Sequence, residues 1–373
     1  MEKTAIPITR SSGRVDDRAV PGAENDSPWQ TLLSGSIEDA AGLARSLGAD
    51  RTSIERVCRQ YPVRITPYFL SLIRAHGEPL WRQAVPDPRE LEDDTTPEDP
   101  LWEEKQSPVP GLIHRYPDTV LFSVSNRCAV YCRYCMRRRR VGKAAVVGNG
   151  TIEEGIDYIA SQDTIREVVL SGGDPLLLGD DELVAIVEAV RAIAHVEVVR
   201  IHTRAPCTIP RRITTRLARE LGRFHPLYVM IQFNHPAEVT PEAALACARL
   251  AEAGIPLGSQ TVLLAGVNDD PACMERLMRA LVRIRVRPAY VHHLDRVRGN
   301  RHFRVSIQRG RRILETLRGR VSGICMPRYV LDLPGGGGKV CLGPEDAIGR
   351  RGGHWLIRNY QGRVFGYKEE SEP

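Results

Sequence analysis

The chain has 373 residues, of which 42% are hydrophobic and 26% are charged, and its formal net charge is +6. These values are ordinary for a soluble globular protein, and the length allows a large buried core. No apolar stretch is long enough to cross a bilayer and no apolar secretory core follows Met1, so we expect a cytoplasmic protein with no membrane partner. The net charge is too small to indicate nucleic-acid binding by itself.

The N-terminal third is predicted to be helical after a flexible start. Residues 1–28 are polar and rich in Gly, Pro and Ser, and we expect them to be disordered. Helix starts are predicted at Ser36-Ile37-Glu38-Asp39 and at Thr66-Pro67, where proline suits the first helical position. Residues 86–108 are Pro-rich and acidic, which favours an extended connector over the surface. We therefore predict a helical section with an acidic connector over residues 29–108.

Between residues 109 and 300, short apolar runs alternate with segments of helical spacing. Thr151-Ile152-Glu153-Glu154 reads as a capping box, and Thr240-Pro241-Glu242 starts a helix that Gly254 ends. This alternation indicates parallel strands with crossover helices, but it does not separate an open doubly wound sheet from an incomplete barrel. The predicted strands are residues 120–124, 167–170, 196–202, 228–233, 258–264 and 289–294.

Three cysteines follow the first predicted strand with C-x3-C-x2-C spacing: Cys128, Cys132 and Cys135. Three thiolates can hold a [4Fe–4S] cluster and leave one iron open to a small molecule. Structural zinc is the main alternative, but it requires a fourth ligand at matched spacing, and the sequence nearby offers none. Disulfides fit an odd triplet in a cytosolic chain poorly. The other cysteines are scattered, and we expect each to be a small buried side chain.

The triplet, with Tyr134 before its last cysteine, resembles the signature of radical S-adenosylmethionine (SAM) enzymes. From about residue 65 to about residue 367, the chain resembles the lysine 2,3-aminomutase family in the order and spacing of six blocks. The blocks are His114-Arg115-Tyr116-Pro117-Asp118, the cysteine run, Arg137-Arg138-Arg139, Ser171-Gly172-Gly173-Asp174, Phe233-Asn234-His235-Pro236 and Pro334-Gly335-Gly336-Gly337-Gly338-Lys339.

The resemblance implies an α/β fold with a partial (β/α)6 barrel of the radical SAM type over residues 109–300. It implies that the chemistry lies at the carboxyl ends of the strands. A C-terminal segment, residues 301–373, would carry a Gly-rich loop for pyridoxal phosphate (PLP).

For SAM, the resemblance implies that the open iron of the cluster binds the amino and carboxylate groups of the molecule. Gly172, Gly173 and Asp174 match the motif for the SAM amino group. Glycines let a strand end expose its backbone to a ligand, and an acid suits an ammonium, although a bare Gly-Gly-Asp is more often a simple turn. The other SAM-binding residues that the resemblance implies are Tyr134, His235 and Gln260.

Lys339 ends a loop of four glycines, whose backbone N–H groups could approach a phosphate. A Walker A loop is excluded because neither Ser nor Thr follows the lysine, while a plain surface loop is the simplest alternative. The resemblance makes Lys339 the catalytic lysine that forms the Schiff base with PLP. Arg115 and Tyr116 would help to hold the ring and phosphate of this cofactor.

The resemblance also assigns the substrate contacts. Arg137 matches the arginine that grips the substrate carboxylate, and Asp295 and Asp332 match the acids that bind the lysine ammonium. Two carboxylates facing one pocket require a cation, since otherwise one of them would take up a proton. We therefore predict a 2,3-aminomutase that converts L-lysine to β-lysine. Arginine is the second candidate, because its broad guanidinium needs more acceptors than two acids supply.

Some expectations concern partners and other classes of protein. The resemblance implies an electron donor such as flavodoxin or ferredoxin, and a homo-oligomer. A basic nucleic-acid-binding protein with a metal knuckle around the cysteines is the alternative from another class. It would rely on Arg137–Arg140, but aromatic residues make up only 6% of the chain, so stacking platforms are not evident. We expect no nucleic-acid partner.

Two features depart from many members of the family. Those members continue into a Cys-rich tail that binds structural zinc, whereas this sequence stops at Pro373 and has Asp270 where a zinc cysteine is expected. We therefore expect no structural zinc. Residues 294–299 resemble the branch that makes β-lysine for elongation factor P, whereas Asp332 and the Gly-rich loop resemble the catabolic branch. The sequence leaves the pathway open.

Overall fold

The computed structural model describes residues 28–142, 149–343, 347–352, 354–359 and 361–368. The predicted disordered N-terminus therefore lies outside the described residues, apart from Pro28. Within the described ranges, the main sheet has nine strands in the order of the sequence. They are β1 (Leu112–Tyr116), β2 (Thr119–Ser125), β3 (Glu167–Gly172), β4 (Val198–Thr203), β5 (Leu227–Gln232), β6 (Leu257–Leu263), β7 (Arg287–His293), β8 (Arg328–Leu333) and β9 (Gly338–Cys341).

Strands β2 to β8 are parallel, whereas β1 and β9 pair antiparallel to their neighbours at the two edges of the sheet. The six predicted strands correspond to β2–β7, which confirms the parallel arrangement. The described sheet contains one more parallel strand than predicted, because β8 was not recognised. Its apolar run is interrupted by Asp332, whose side chain faces the interior cavity described below.

The sheet curls until its two edge strands approach each other. The Tyr116 hydroxyl on β1 accepts a hydrogen bond from the Lys339 backbone N–H on β9 at 2.9 Å. Arg115 Nη1 lies 3.9 Å from Asp332 Oδ1. Among the described residues, no backbone ladder joins β1 to β9. The sheet is therefore a nearly closed barrel, whose seam is bridged by side chains.

Helices pack around the outside of this sheet and bury the main core. Phe122, Leu170 and Ile201 are fully buried members of that core. Thr240 caps its helix by accepting a hydrogen bond from the Ala243 N–H at 3.1 Å, which confirms the predicted helix start. The helices after β2 are α6 (Asn149–Ser161), α7 (Asp180–Arg191), α8 (Ala205–Thr208), α9 (Thr215–Leu221), α10 (Pro241–Glu252), α11 (Pro271–Arg283) and α12 (Ile307–Leu317).

The N-terminal helices form a second, smaller core. Phe69 and Leu80 are buried there together with Val130, which belongs to the cysteine run, so this layer supports the loop that carries the cysteines. The side chains of Asp39 and Thr66 cap their helices, as predicted. The helices are α1 (Trp29–Ser34), α2 (Ala40–Leu47), α3 (Arg51–Cys58), α4 (Pro67–His76) and α5 (Glu78–Ala84).

The acidic connector, residues 86–108, has many exposed residues, as expected for a segment over the surface, but some of its acids are buried. Glu90 and Glu103 are each only 1% exposed. They are buried because arginines from the segment after the cysteines lie against them: Glu90 pairs with Arg138, and Glu103 pairs with Arg137. The connector thus keeps exposed stretches, while ion pairs of its buried acids hold it against the rest of the protein.

The C-terminal segment adds a small antiparallel sheet of β10 (Ala347–Arg351), β11 (His354–Arg358) and β12 (Val364–Lys368). Asp270, at the position where the sequence comparison expects a zinc cysteine, caps α11 by accepting a hydrogen bond from the Cys273 N–H at 2.8 Å. None of the helices in the described ranges is both long and apolar enough to cross a membrane.

Candidate active site

A cavity of about 640 Å³ occupies the interior of the barrel, and residues that follow the carboxyl ends of several strands are part of its lining. Its lining brings together residues that are far apart in the sequence, from Arg115 on β1 to Lys339 on β9. Of the predicted site residues, all except His235 line this cavity. They are Arg115, Tyr116, Cys128, Cys132, Tyr134, Cys135, Arg137, Gly172, Gly173, Asp174, Gln260, Asp295, Asp332 and Lys339.

The three cysteines lie on the loop after β2, and each is a free, partly exposed thiol on the cavity lining. Burial raises the pKa of Cys128 well above its ordinary value, and the neighbouring Asp174, Cys132 and Cys135 raise it further. Burial and Cys132 raise the pKa of Cys135 to about 11. Three sulfur donors this close together on one loop suit the thiolate ligation of a [4Fe–4S] cluster.

In the described part of the chain, no group of three His, Cys, Asp or Glu side chains has the geometry to hold a single metal ion. Each of the nine cysteines is described, and each is a free thiol.

Arg204, which the sequence analysis missed, lies beside the cysteine loop. Its Nη1 donates a hydrogen bond to Cys132 Sγ at 3.0 Å, and its Nη2 donates to Glu238 Oε1 at 2.6 Å. Burial would lower the pKa of Arg204, but its neighbours Cys132, Tyr134 and Glu238 raise this pKa well above the ordinary value. Arg204 is therefore a buried positive charge in contact with one of the three sulfur atoms.

The two glycines after β3 pack against the cysteine loop. A Cβ atom on Gly172, whose φ is +115°, would lie 2.3 Å from the Ser125 carbonyl oxygen, and one on Gly173 would lie 2.4 Å from that of Arg127. Side chains at these positions would force the two strand ends apart. The glycines thus allow a close backbone approach between β3 and the cysteine loop, a role that the sequence analysis had given to ligand binding alone.

Asp174 is buried and already has internal partners. Its carboxylate accepts hydrogen bonds from Thr203 Oγ1 at 2.7 Å, from the Arg204 N–H at 2.8 Å and from the Leu176 N–H at 3.0 Å. Burial nevertheless raises its pKa. The acid is thus fixed in place at the end of β3, where it also lines the cavity.

Tyr134 is 3% exposed, and its hydroxyl accepts a hydrogen bond from Asn234 Nδ2 at 2.6 Å. Gln260 Nε2 lies 3.1 Å from Nδ1 of His202. His202 also lines the cavity and was not identified from the sequence. Burial lowers the pKa of His202 well below its ordinary value, and its Nε2 is buried without a partner in the described structure. Gln260 and His202 therefore offer polar groups to a ligand in the cavity.

His235 does not lie on the cavity, in contrast to the prediction. Its ring accepts a hydrogen bond from the Ala237 N–H at 3.2 Å and caps the short helical turn that follows. The residue before it, Asn234, is buried and donates to the Tyr134 hydroxyl. Both residues follow the end of β5, and the capping of the turn by the His235 ring explains why this ring does not line the cavity.

Lys339, Asp332 and His292 form a compact group. Lys339 Nζ lies 3.0 Å from Asp332 Oδ2 and 3.4 Å from His292 Nδ1. Burial alone would raise the pKa of Asp332, but the hydrogen bond from His292 and the Lys339 ammonium hold this pKa well below its ordinary value. Burial lowers the pKa of His292, so its imidazole is neutral near pH 7. His292 was not identified from the sequence.

On the other side of the seam, Arg115 and Tyr116 approach the same group. Arg115 Nε donates to Gln106 Oε1 at 2.8 Å, and its Nη1 lies 3.9 Å from Asp332 Oδ1. Tyr116 holds the Lys339 backbone, as described for the seam. A lysine amine, an arginine and a tyrosine hydroxyl in one recess are a donor set that fits an aldehyde cofactor with a phosphate group.

Arg137 has a carboxylate partner within the protein. Its Nη2 donates to Glu103 Oε1 at 2.6 Å, and its Nη1 lies 3.4 Å from Ser171 Oγ. Burial would raise the pKa of Glu103, but Arg137 and Arg139 hold it below its ordinary value. Glu103 was not identified from the sequence, because the acidic connector was expected to lie on the surface.

Asp295 differs from the other acids because its Oδ1 is buried without a hydrogen-bond partner in the described structure. Burial and the negative charge of Asp332 raise its pKa to about 7. Two carboxylates and Arg137 therefore line one cavity, and the carboxylate of Asp295 has an oxygen without a hydrogen-bond partner in the described structure.

The arginine run after the cysteines is not an open basic patch. Each member lies against an acid of the connector, which removes the observation behind the nucleic-acid alternative. The pairs are Arg137 with Glu103, Arg138 with Glu90, Arg139 with Asp99, and Arg140 with Glu104.

Comparison with known proteins agrees with this geometry. The model of the Radical SAM superfamily matches residues 122–277, and that of Lysine-2,3-aminomutase matches residues 314–373. L-lysine 2,3-aminomutase of Methanococcus maripaludis is 42% identical over 98% of this chain and 86% of its own length. That of Acetoanaerobium sticklandii is 43% identical over 92% of this chain and 84% of its own length.

Two further similarities are to a relative that is named for a different substrate and to a solved structure. Glutamate 2,3-aminomutase of Clostridioides difficile is 39% identical over 94% of this chain and 83% of its own length. Among solved structures, Streptococcus suis SuiB aligns with a TM-score of 0.44 and 12% identity over 58% of this chain and 50% of that chain.

The cysteine loop at the mouth of a curled parallel sheet and the matched superfamily model define a radical SAM enzyme. Within that superfamily, the chain belongs to the lysine 2,3-aminomutase family, whose members are isomerases. The cofactors of this family are a [4Fe–4S] cluster, SAM and PLP.

Proposed function

We propose that this protein converts L-lysine to β-lysine by moving the amino group from Cα to Cβ. The observation that supports this most directly is the charge of the cavity, which has Arg137 for a carboxylate and both Asp295 and Asp332 for an ammonium. The relatives at 42–43% identity that carry the name L-lysine 2,3-aminomutase support the same substrate.

The cavity residues fit the three cofactors. Cys128, Cys132 and Cys135 would hold the cluster, while Asp174 and Gln260, which line the same cavity, would contact SAM. Arg115, Tyr116 and Lys339 would hold PLP. When bound, the cluster and SAM supply one-electron hydrogen abstraction, and PLP supplies a carrier for the migrating nitrogen.

The chain's own residues orient the substrate and manage its charges. Glu103 holds the Arg137 guanidinium in one orientation, which prepares it for bidentate contact with a carboxylate. Asp295 and Asp332 attract the side-chain ammonium. His292 Nδ1 lies 3.4 Å from Lys339 Nζ, so this imidazole helps to position the amine beside Asp332.

Glutamate and arginine are weaker candidates for the substrate. A side-chain carboxylate would meet Asp295, whose own charge burial already disfavours, so glutamate would add a third negative charge. Arginine has the correct charge, but its planar fork carries five donors, and the two acids cannot satisfy all of them.

Partners, compartment and domain limits are also part of the proposal. Reduction of the cluster needs an external donor such as flavodoxin or ferredoxin, and we propose a homo-oligomer. The nine free thiols support a reducing compartment such as the cytoplasm. We propose a helical section with the connector over residues 29–108, a barrel over 109–300 and a PLP-loop segment over 301–373.

The test is an anaerobic competition assay with equal concentrations of lysine, arginine, glutamate and ornithine, together with SAM, PLP and a reductant. We expect β-lysine to be the main product after chromatographic separation. Dominant β-arginine would reverse the ranking of the two cations, and dominant β-glutamate would overturn the argument from Asp295 and Asp332.

The PLP site has a separate test. Borohydride reduction of the PLP-loaded protein, followed by peptide mapping, should find the pyridoxyl label on Lys339. Lys105, which lies over the Trp102 ring, is the control, because it has no place on the cavity lining. A label on Lys105 in place of Lys339 would contradict the assignment.

A further inference from the structure

Arg204 connects the cysteine loop to two other parts of the molecule. It follows β4, and its Nη1 donates to Cys132 Sγ at 3.0 Å. Its Nη2 donates to Gln83 Oε1 on α5 at 2.6 Å and to Glu238 Oε1 after β5 at 2.6 Å. The guanidinium is therefore held from three directions, with one of its N–H edges directed at a sulfur atom.

The surroundings of this charge shield it from water. The Arg204 side chain is 7% exposed and that of Glu238 is 0% exposed. The guanidinium also lies over the Phe69 ring, 5.2 Å from its centroid, and over the Tyr134 ring at 5.8 Å. In such surroundings a charge acts on its neighbours with much less screening than it would at the surface.

A fixed cation at a ligand sulfur affects the electron affinity of an iron–sulfur cluster. Reduction adds one electron from a donor to the cluster, and no bond forms or breaks in that step. A nearby positive charge stabilises the added negative charge, and a hydrogen bond to the sulfur withdraws electron density from it. Both effects make reduction easier. Glu238, beyond the guanidinium, has the opposite effect through its negative charge.

We propose that Arg204 is a positioning residue that raises the reduction potential of the cluster through Cys132, and that Glu238 partly offsets it. This inference rests on the cluster assigned in the proposed function. It gives Arg204 a role in electron uptake, in addition to its structural contacts with Gln83 and Glu238.

The experiment is a potentiometric titration of the anaerobically reconstituted full-length protein with dithionite, followed by electron paramagnetic resonance in the absence of SAM. Arg204→Gln should shift the reduction potential to more negative values, whereas Glu238→Gln should shift it to more positive values. Arg204→Lys keeps the positive charge but loses the planar guanidinium, so the reduction potential of this variant should lie between those of the wild type and Arg204→Gln. Shifts in the same direction for Arg204→Gln and Glu238→Gln, or no shift, would overturn the proposal.

Two further variants separate an electrostatic effect from damage to the fold. Arg204→Gln leaves Glu238 buried without its partner, so the double variant Arg204→Gln/Glu238→Gln keeps the test valid if the single variant does not fold. Its potential should still be more negative than that of the wild type, because the arginine is the closer of the two charges to the sulfur. A wild-type or more positive potential in the double variant would contradict the proposal.

Arg212→Lys is the matched control, since Arg212 is likewise a buried arginine and pairs with Asp180 at 2.6 Å, away from the cysteines. Its potential should equal that of the wild type, and an equal shift in Arg212→Lys and Arg204→Lys would contradict a specific role. A wild-type protein without four irons per chain would overturn the cluster itself. An intact cluster with an unmoved potential would overturn only the role of Arg204.

Discussion

Asp295 and Asp332 are chemically identical residues that the same cavity treats in opposite ways. Asp332 has Lys339 and His292 as partners, which hold its pKa below the ordinary value. Asp295 has a buried oxygen without a partner, and burial together with Asp332 raises its pKa to about 7. Near neutral pH, Asp295 therefore gains or loses its charge over a small change in pH.

This difference predicts how stability depends on pH. The raised pKa of Asp295 gives stability that is fully present below the ordinary value of 3.8 and is lost as pH rises through about 7. In urea denaturation without substrate, Asp295→Asn should therefore gain stability relative to the wild type between pH 5 and pH 8. Asp332→Asn is the control, because a lowered pKa stabilises the protein above its ordinary value, so this variant should be less stable than the wild type across the same range.

The same titration should appear in substrate binding. As pH rises through about 7, Asp295 becomes charged and attracts the lysine ammonium, so the KM for lysine should fall. The KM of Asp295→Asn should be higher and should lack this transition. A wild-type KM that rises over this range would contradict the assignment of Asp295 to the ammonium.

At the scale of elements, the connector of residues 86–108 is held by buried ion pairs. Glu90 accepts hydrogen bonds from Arg133 Nε at 2.9 Å and Nη2 at 2.6 Å, and Arg138 also pairs with it. A buried pair that loses one partner leaves an uncompensated charge in the interior. The contribution of each acid in the connector to the free energy of unfolding should therefore increase with the burial of that acid.

We expect Glu90→Gln to lower the free energy of unfolding by about 3–5 kcal/mol. Glu98→Gln should lower it by less than about 1 kcal/mol, because the Glu98 side chain is 57% exposed in its pair with Arg298. Urea denaturation of the two variants measures the difference. Equal effects would show that burial does not determine the strength of these pairs.

The sequence predicted β2–β7 because each has a buried apolar run, and it predicted the helix starts because caps such as Thr66 are local signals. It missed β8 because Asp332 interrupts its apolar run, and β9 because Gly338 and Lys339 read as a loop. The burial of Glu90 depends on arginines that lie 43 and 48 residues further along the chain, so neither segment alone reveals it.

The residues of the candidate site also divide into those with a local sequence signal and those without one. Cys128, Cys132, Cys135 and Lys339 stand in short motifs that can be read from the sequence, and they line the cavity. Glu103, His202, Arg204 and His292 have no local motif, and only the fold brings them there. His235 shows the opposite case, because its motif suggested a cavity position, whereas its ring caps the helical turn that follows.

At the scale of the whole molecule, the barrel closes through a seam of side chains. The Tyr116 hydroxyl accepts a hydrogen bond from the backbone of Lys339 at 2.9 Å across this seam. Because β9 is an edge strand, it has a ladder only on its β8 side. The position of Lys339 therefore depends on a contact from the opposite end of the sheet.

We expect Tyr116→Phe to increase the rate of amide hydrogen exchange in residues 338–341, since the Lys339 N–H loses its acceptor. Mass spectrometry of peptides from this region measures the rate. Tyr228→Phe is the control, because Tyr228 is 40% exposed on β5, away from the seam. Unchanged exchange in Tyr116→Phe would mean that the ladder to β8 alone protects this strand.

The connector has a further consequence for how such an enzyme can change over evolution. Glu103, which orients the carboxylate-binding Arg137, comes from a segment that contributes no strand to the sheet. Substitutions there can alter the charge beside Arg137 while every backbone ladder of the barrel stays intact. Substitutions in this segment, whether natural or engineered, can therefore change the preference for an amino acid substrate separately from the barrel that carries the radical chemistry.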